Sequence, residues 1–188
     1  LLQPGYHSAT LLSSIVLALL VAELWRYVSR TNREVARFLD AARYADSFGY
    51  QSDQLNTQWP YRDWVVRAFN ENLPFDRFLT WQLAGDLLPD ATLEQQIATG
   101  FNRCHVTTNE GGSISAEWLA ENAADRVHTF GTAFLALTFE CARCHDHKTD
   151  PIPTADYYAM SGIFQSTRTY YGTVNQVAGW NGAAWHAF

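Results

Sequence analysis

Hydrophobic residues recur at helical spacing along most of the chain, and the first such stretch is also the most apolar. Residues 9–25 have the sequence ATLLSSIVLALLVAELW, and the run from Ala9 to Ala22 contains no charge. A membrane-spanning helix needs about 20 apolar residues, so this run is short for a span. It predicts an apolar N-terminal helix that serves either as a membrane anchor or as a docking segment covered by a partner.

Shorter segments with apolar residues on one helical face follow. Thr92 and Gln95 form a capping box, which predicts the start of a short helix. A longer stretch leads directly to Cys141, and Thr154 predicts the cap of the last helix. The expected fold class is mainly α, an irregular multi-helix domain with a CxxCH motif after a long helix. The predicted helices cover residues 31–45, 61–72, 75–88, 93–99, 116–139 and 155–164.

The charge balance argues against one large class of partners. The net charge is −6 at pH 7, and no RNA-binding signature or helix-turn-helix pattern stands out. Nucleic-acid binding needs clustered Lys and Arg, so no nucleic-acid partner is expected. The sequence also lacks a Gly-rich phosphate loop, GxSxG and HExxH, and its carboxylates form no clear catalytic pair. These features favour an electron carrier or a binding protein over a catalyst.

The sequence CARCHDHK at positions 141–148 carries the strongest candidate chemistry. Its C-x-x-C-H spacing is typical of covalent c-type haem attachment. Two thiols so spaced can each add to one haem vinyl group, and the next residue then presents an imidazole to the iron. The motif predicts Cys141 and Cys144 as thioether anchors and His145 as the proximal axial ligand.

A distal axial ligand would have to come from elsewhere in the chain. The candidates are His105, Met160 and His128, and a Met thioether would raise the reduction potential. His105 is preferred because it lies immediately before a polar loop. His128 projects from the helix that leads to the motif, where a histidine commonly has only a structural role. His147 is too near His145 to reach the opposite face of the same iron.

The same region also suits a zinc site. A C-x-x-C pair plus two ligands from a remote segment gives tetrahedral coordination. Cys104 and His105 supply such a remote pair, and this use would occupy the third cysteine of the chain. A haem protein would instead leave Cys104 as a buried free thiol. The zinc ligands would be drawn from Cys104, His105, Cys141, Cys144 and His147.

Seven sequence blocks between Ala41 and Phe164 occur in an order that is specific to one family. The blocks are ARYADSFGY (42–50), YRDWVVRAFN (61–70), PFDRFLTWQLAGDLLP (74–89), ATGFNRCH (98–105), NEGG (109–112), DRVHTFGTAFLALTFECARCHDHKTDPI (125–152) and DYY (156–158). In these blocks the chain resembles the second domain of the planctomycete-type cytochrome family, which is catalogued largely as of unknown function. The family name implies haem. Members are usually parts of larger exported proteins, so the resemblance also implies a location outside the cytoplasm.

Together these features predict an apolar N-terminal helix (1–30), a cytochrome-like helical domain (31–166) and an aromatic, Gly-rich tail (167–188). The expected function is electron transfer through one haem c in a periplasmic or otherwise extracytoplasmic location, with membrane contact through 9–25. A single haem relays electrons only to a nearby cofactor, so a redox partner protein or a larger membrane or redox assembly is implied. The alternatives are a zinc-stabilised structural or interaction subunit and an accessory domain of an exported degradative enzyme.

Overall fold

The computed structural model describes residues 6–47, 53, 55–106 and 114–167, with side chains described from residue 16 onward. This part of the chain is mainly helical and contains no named β-strand, which confirms the mainly α fold class. Most of the predicted tail, residues 168–188, lies outside the described residues. The α-helices are α1 (Tyr6–Ala41), α2 (Trp59–Asn70), α3 (Phe75–Ala84), α4 (Leu93–Ala98), α5 (Ser115–Phe130) and α6 (Thr154–Ser166).

Helix α1 is longer than the sequence pattern predicts. The apolar N-terminal helix and the helix predicted over 31–45 form one continuous element, because no glycine or proline interrupts the chain between Tyr6 and Ala41. The structure divides into two compact units between Arg37 and Phe38, within this helix. Among the described residues, no helix combines the length and the apolar character needed to cross a membrane.

Helices α2 and α3 pack through buried aromatic residues. Trp64 and Phe78 stack with their ring centroids 5.5 Å apart. The Tyr61 hydroxyl donates a hydrogen bond to Oε1 of the buried Gln82 at 2.7 Å, which satisfies a polar pair that would otherwise be costly to bury. Tyr61 also lies against Gly100, where a Cβ atom would come within 2.7 Å of the tyrosine Cβ. The segment that follows α4 therefore approaches α2 closely.

Helices α5 and α6 enclose a hydrophobic core to which the segment between them also contributes. The buried members are Ala123, Val127 and Phe130 from α5, Phe139, Ala142 and Ile152 from the connecting segment, and Tyr157 and Phe164 from α6. Burial of a large apolar side chain stabilises a fold by about 1.5–3 kcal/mol. Because Ala142 lies between the two cysteines of the CARCH sequence, this core holds the motif between α5 and α6.

The helix before the motif ends earlier than the sequence predicts. Helix α5 stops at Phe130, and a π-helical turn then leads to Ala136, which adopts the left-handed conformation at φ 53°. A Cβ atom at Gly131 would lie 2.5 Å from the Phe139 ring, so this close approach requires glycine. The chain turns back here, and the prediction of one helix over 116–139 is wrong. The motif still follows a long helix, but only after this reversal.

Candidate functional site

The two cysteines of the motif lie on one side of a tight turn. Residues Glu140–Arg143 form a 3-10 helical turn that ends at Cys144. A 3-10 helix has about three residues per turn, so side chains at positions i and i+3 point the same way. Cys141 and Cys144 are accordingly both exposed free thiols, whereas Ala142 between them is fully buried. The turn therefore presents two thiols to solvent from a backbone anchored in the core.

His145 presents a defined nitrogen next to these thiols. Its ring is exposed, and its Nδ1 atom lies 2.8 Å from the carbonyl oxygen of Asp146. A carbonyl oxygen only accepts hydrogen bonds, so Nδ1 carries the proton and donates it. The lone pair is then on Nε2, which is the nitrogen through which an imidazole so held can bind a metal.

Contacts with both flanking helices fix the motif turn. The Arg143 guanidinium donates a hydrogen bond to Glu121 of α5 at 2.7 Å, and the Tyr158 hydroxyl of α6 donates to the Arg143 carbonyl at 3.0 Å. The hydrogen bond from Arg143 lowers the pKa of the Glu121 carboxyl and raises that of the guanidinium. Both side chains of this ion pair are substantially exposed, so it positions the turn more than it stabilises the fold.

The residues after the motif close a second turn onto α6. Asp146 Oδ1 accepts a hydrogen bond from the Thr154 amide at 2.8 Å. Thr154 is the first residue of α6, so the prediction that its side chain caps the helix is wrong, and Asp146 satisfies the first amide instead. His147 Nδ1 accepts from the Asp150 amide at 2.9 Å, a contact that requires a lone pair on this nitrogen. His147 is therefore engaged in its own turn.

The remote pair Cys104 and His105 is buried. His105 Nδ1 lies 2.7 Å from the Val106 carbonyl oxygen, so this nitrogen also carries a proton. Burial, followed by the charge of Arg126, lowers the pKa of His105 to about 3, which keeps the imidazole neutral at pH 7. Burial likewise raises the pKa of the Cys104 thiol to about 12. Its Sγ atom donates to the Gly100 carbonyl at 3.5 Å, as a protonated thiol does.

The other two candidate distal ligands lie in different environments. Met160 of α6 is half-buried and packs against the hydrophobic core between α5 and α6. His128 of α5 has its Nδ1 atom 3.5 Å from Oε1 of Glu140, the residue before Cys141. This nitrogen is buried and has no hydrogen-bond partner within the described residues. His128 thus lies next to the start of the motif turn.

One face of α5 connects the two cysteine–histidine segments. Asp125 accepts a hydrogen bond from the Val106 amide at 2.8 Å and pairs with Arg43. Glu121 lies four residues earlier, one turn away on the same face, and pairs with Arg143 of the motif. The sequence pattern predicts no role for these carboxylates, and their i,i+4 spacing on the helix before the motif is the signal that could have identified them.

The proposed zinc ligands are not assembled into one site. Across the described residues, no three Cys, His, Asp or Glu side chains form a group able to hold a metal ion. Cys104 is buried, whereas Cys141 and Cys144 are exposed on the motif turn. The exposed thiols and His145 fit the attachment of haem, because covalent anchoring needs two accessible thiols and an imidazole nitrogen with a lone pair.

Comparison with known proteins identifies the family. The family model PSCyt2, described as "Protein of unknown function (DUF1549)", matches residues 13–169, which is well over half of the chain. No curated protein and no solved structure matches the chain. The match agrees with the resemblance that the seven sequence blocks predict, and the chain belongs to the PSCyt2 family.

Proposed function

We propose that this chain binds one haem covalently and relays electrons outside the cytoplasm. Cys141 and Cys144 are the thioether anchors, and His145 is the proximal ligand. The observation that carries the proposal is the motif turn, which presents two exposed free thiols on one side and an imidazole with its lone pair on Nε2. A bound haem would supply a reversible one-electron change at its iron.

The thiols are suited to the attachment chemistry. Each S–H group adds across one vinyl double bond, so that a carbon–sulfur bond forms and the hydrogen goes to the other vinyl carbon. The addition needs no external oxidant or reductant. Both thiols are free and exposed, and the buried Ala142 between them fixes the backbone from which they project. A core-anchored turn lowers the entropic cost of directing both sulfurs to one macrocycle.

The ring of His145 is held by its own backbone. Donation from Nδ1 to the Asp146 carbonyl selects the tautomer and raises the basicity of Nε2. The Asp146 side chain meanwhile accepts a hydrogen bond from the first amide of α6, so the residue that supplies the carbonyl is itself tied to the helix. These contacts orient a proximal ligand before any iron is bound.

His105 is the proposed distal ligand. It is neutral at physiological pH and, like His145, directs Nδ1 to a backbone carbonyl. The next residue, Val106, donates its amide to Asp125 of α5. Asp125 lies one helical turn from Glu121, which pairs with Arg143 of the motif. Met160 and His128 remain as the other candidates. Replacing each in turn and recording the absorption spectrum of the reduced protein identifies the ligand, because its loss changes the spin state of the iron.

The zinc hypothesis has weaker support. It would place Cys104 among the ligands as a thiolate, and this sulfur is instead a buried thiol that donates to a carbonyl and accepts from Gln58.

The hypothesis of an accessory domain of an exported degradative enzyme is not supported by a clear catalytic pair of carboxylates in the sequence. A redox partner protein or a larger membrane or redox assembly therefore remains the proposed partner.

Haem analysis of the purified protein tests the proposal. The chain is produced with a periplasmic haem-attachment system, extracted with acid–acetone and assayed as a pyridine haemochrome, with zinc measured in parallel. We expect one haem retained per polypeptide. Retention of about one zinc and no haem would establish the structural alternative, and Cys104→Ala would then remove the metal.

A further inference from the structure

The first turns of α1 with described side chains expose an unusual amount of apolar surface. Between Val16 and Val28, nine large apolar side chains are 46% to 70% exposed. Single exposed apolar residues are normal, but a contiguous set of this size marks a surface that binds a partner. The haem proposal makes no use of this segment, so its role has to be found in its own chemistry.

The apolar residues occupy one half of the helix. Successive side chains of an α-helix are about 100° apart. Val16, Leu20, Leu24 and Tyr27 therefore form one row, and Leu17 continues the same half. Among the nine exposed apolar side chains, Leu19 is the exception. The opposite half in this segment is formed mainly by alanine, serine and charged residues, so the helix is amphipathic.

A row of arginines continues along that opposite half. Arg26, Arg30, Arg33 and Arg37 are spaced by four, three and four residues, which places them in one line. The first two pair with glutamates of the same helix. The side chains of Arg33 and Arg37 form no ion pair or hydrogen bond with any described residue. Residues 26–37 contain four arginines and one glutamate, in a chain whose net charge is −6.

Two aromatic residues lie near the borders between the halves. Trp25 is 70% exposed and Tyr27 is 60% exposed, and the helical rotation places them near opposite edges of the apolar half. Trp and Tyr prefer the level of lipid headgroups, because each has an apolar ring and a polar group that stays hydrated. This arrangement is typical of a helix that lies in the plane of a membrane surface.

We propose that residues 16–37 of α1 lie on an anionic phospholipid surface. The apolar half of residues 16–28 enters the acyl boundary, and the arginine row, led by Arg33 and Arg37, meets the phosphates of the headgroups. Charge complementarity favours lipid over a second copy of this chain, because apolar pairing between two copies would give these arginines no counter-charge. Because the chain as a whole is negatively charged, the attraction is expected from this helix, where positive charge is in excess over residues 26–37.

Vesicle binding by the full chain tests the proposal. Cosedimentation is measured with phosphatidylglycerol–phosphatidylcholine vesicles and with phosphatidylcholine vesicles, at low and high salt. We expect tighter binding to the anionic vesicles and weakening by salt. Leu20→Glu and Leu24→Glu should each weaken binding at least about tenfold, and Arg33→Gln and Arg37→Gln about fivefold on anionic vesicles.

Matched controls lie outside α1. Leu87 is 78% exposed, so Leu87→Glu adds the same charge at an exposed leucine elsewhere, and Arg77→Gln removes an exposed arginine. Both should bind like the wild type. The proposal is overturned if no variant of α1 differs from these controls, or if anionic and neutral vesicles bind equally. It is also overturned if Leu20→Glu converts a dimer into a monomer while vesicles bind neither form.

Discussion

Two cysteine–histidine pairs occur in this chain, and the structure gives them opposite surroundings. Each histidine directs its Nδ1 to the carbonyl of the following residue, at 2.7 Å in His105 and at 2.8 Å in His145. Cys104 is nevertheless buried, and Cys144 is exposed. The two imidazoles thus make the same local hydrogen bond, and burial separates a thiol held by the core from one exposed to a ligand.

This difference in burial determines whether the thiol and the imidazole of each pair can ionise or bind a ligand. Desolvation raises the pKa of the Cys104 thiol to about 12 and lowers that of His105 to about 3, so neither group ionises near pH 7. At the motif, Ala142 takes the buried position and leaves both cysteines outside. The buried Ala142 therefore contributes to the exposure of both thiols.

The largest expected effect is on haem content. Replacing both Cys141 and Cys144 by Ala should remove all covalently bound haem, whereas Cys104→Ala should retain it, because only the first two thiols are exposed. Peroxidase staining of haem on a denaturing gel measures the difference. Loss of staining in Cys104→Ala, with folding intact by circular dichroism, would contradict the assignment.

The next effect is a dependence of stability on pH. The folded pKa of His105 lies below the usual value of about 6.5, so the unfolded chain binds the proton first. The contribution of His105 to the free energy of unfolding is fully present above about pH 6.5. It falls by as much as about 1.4 kcal/mol per pH unit towards pH 3. Urea unfolding should show that His105→Gln loses this part of the slope. His145→Gln, at an exposed site, should keep it.

Substitution of single thiols sharpens the same comparison. Cys104→Ser should lower the free energy of unfolding by about 1–2 kcal/mol, because the smaller oxygen loses packing contacts of the buried sulfur and a hydroxyl costs more to desolvate than a thiol. Cys141→Ser should change it by less than about 0.5 kcal/mol, since its side chain is exposed. Equal effects in the apoprotein would show that the two sites do not differ in burial.

The smallest effects concern the two carboxylates of α5. Glu121→Gln should cost at most about 1 kcal/mol, because Glu121 and Arg143 are both exposed. Asp125→Asn should cost more, since that carboxylate is mostly buried and also accepts the Val106 amide. Thermal unfolding of the two variants gives the comparison, and the reverse order would contradict the roles assigned to them.

Much of the fold can be predicted from local pattern. The capping box of Thr92 and Gln95 is present as predicted, with both hydrogen bonds made. The end of α5 could not be predicted, because the π turn after it, the left-handed Ala136 and the packing of Phe139 against Gly131 depend on contacts of the folded chain. The continuity of α1 depends on the absence of a breaker between the two predicted segments.

The residues of the candidate site can be predicted from the sequence, whereas their burial and their contacts with other elements cannot. The C-x-x-C-H spacing identifies the motif, and a 3-10 turn explains why both thiols emerge on one side. Sequence alone left Cys104 open to a zinc-binding role, since its burial depends on contacts with distant residues such as Gln58. The tie from Arg143 to Glu121 likewise needed the three-dimensional arrangement.

The intact mass of the polypeptide tests the central claim most directly. Protein made with a haem-attachment system is extracted with acid–acetone and weighed by mass spectrometry beside the variant that lacks Cys141 and Cys144. The account predicts that the wild type is heavier than its sequence by the mass of one haem and that the variant has its sequence mass. A wild type at its sequence mass, under conditions in which a control cytochrome c acquires haem, would contradict it.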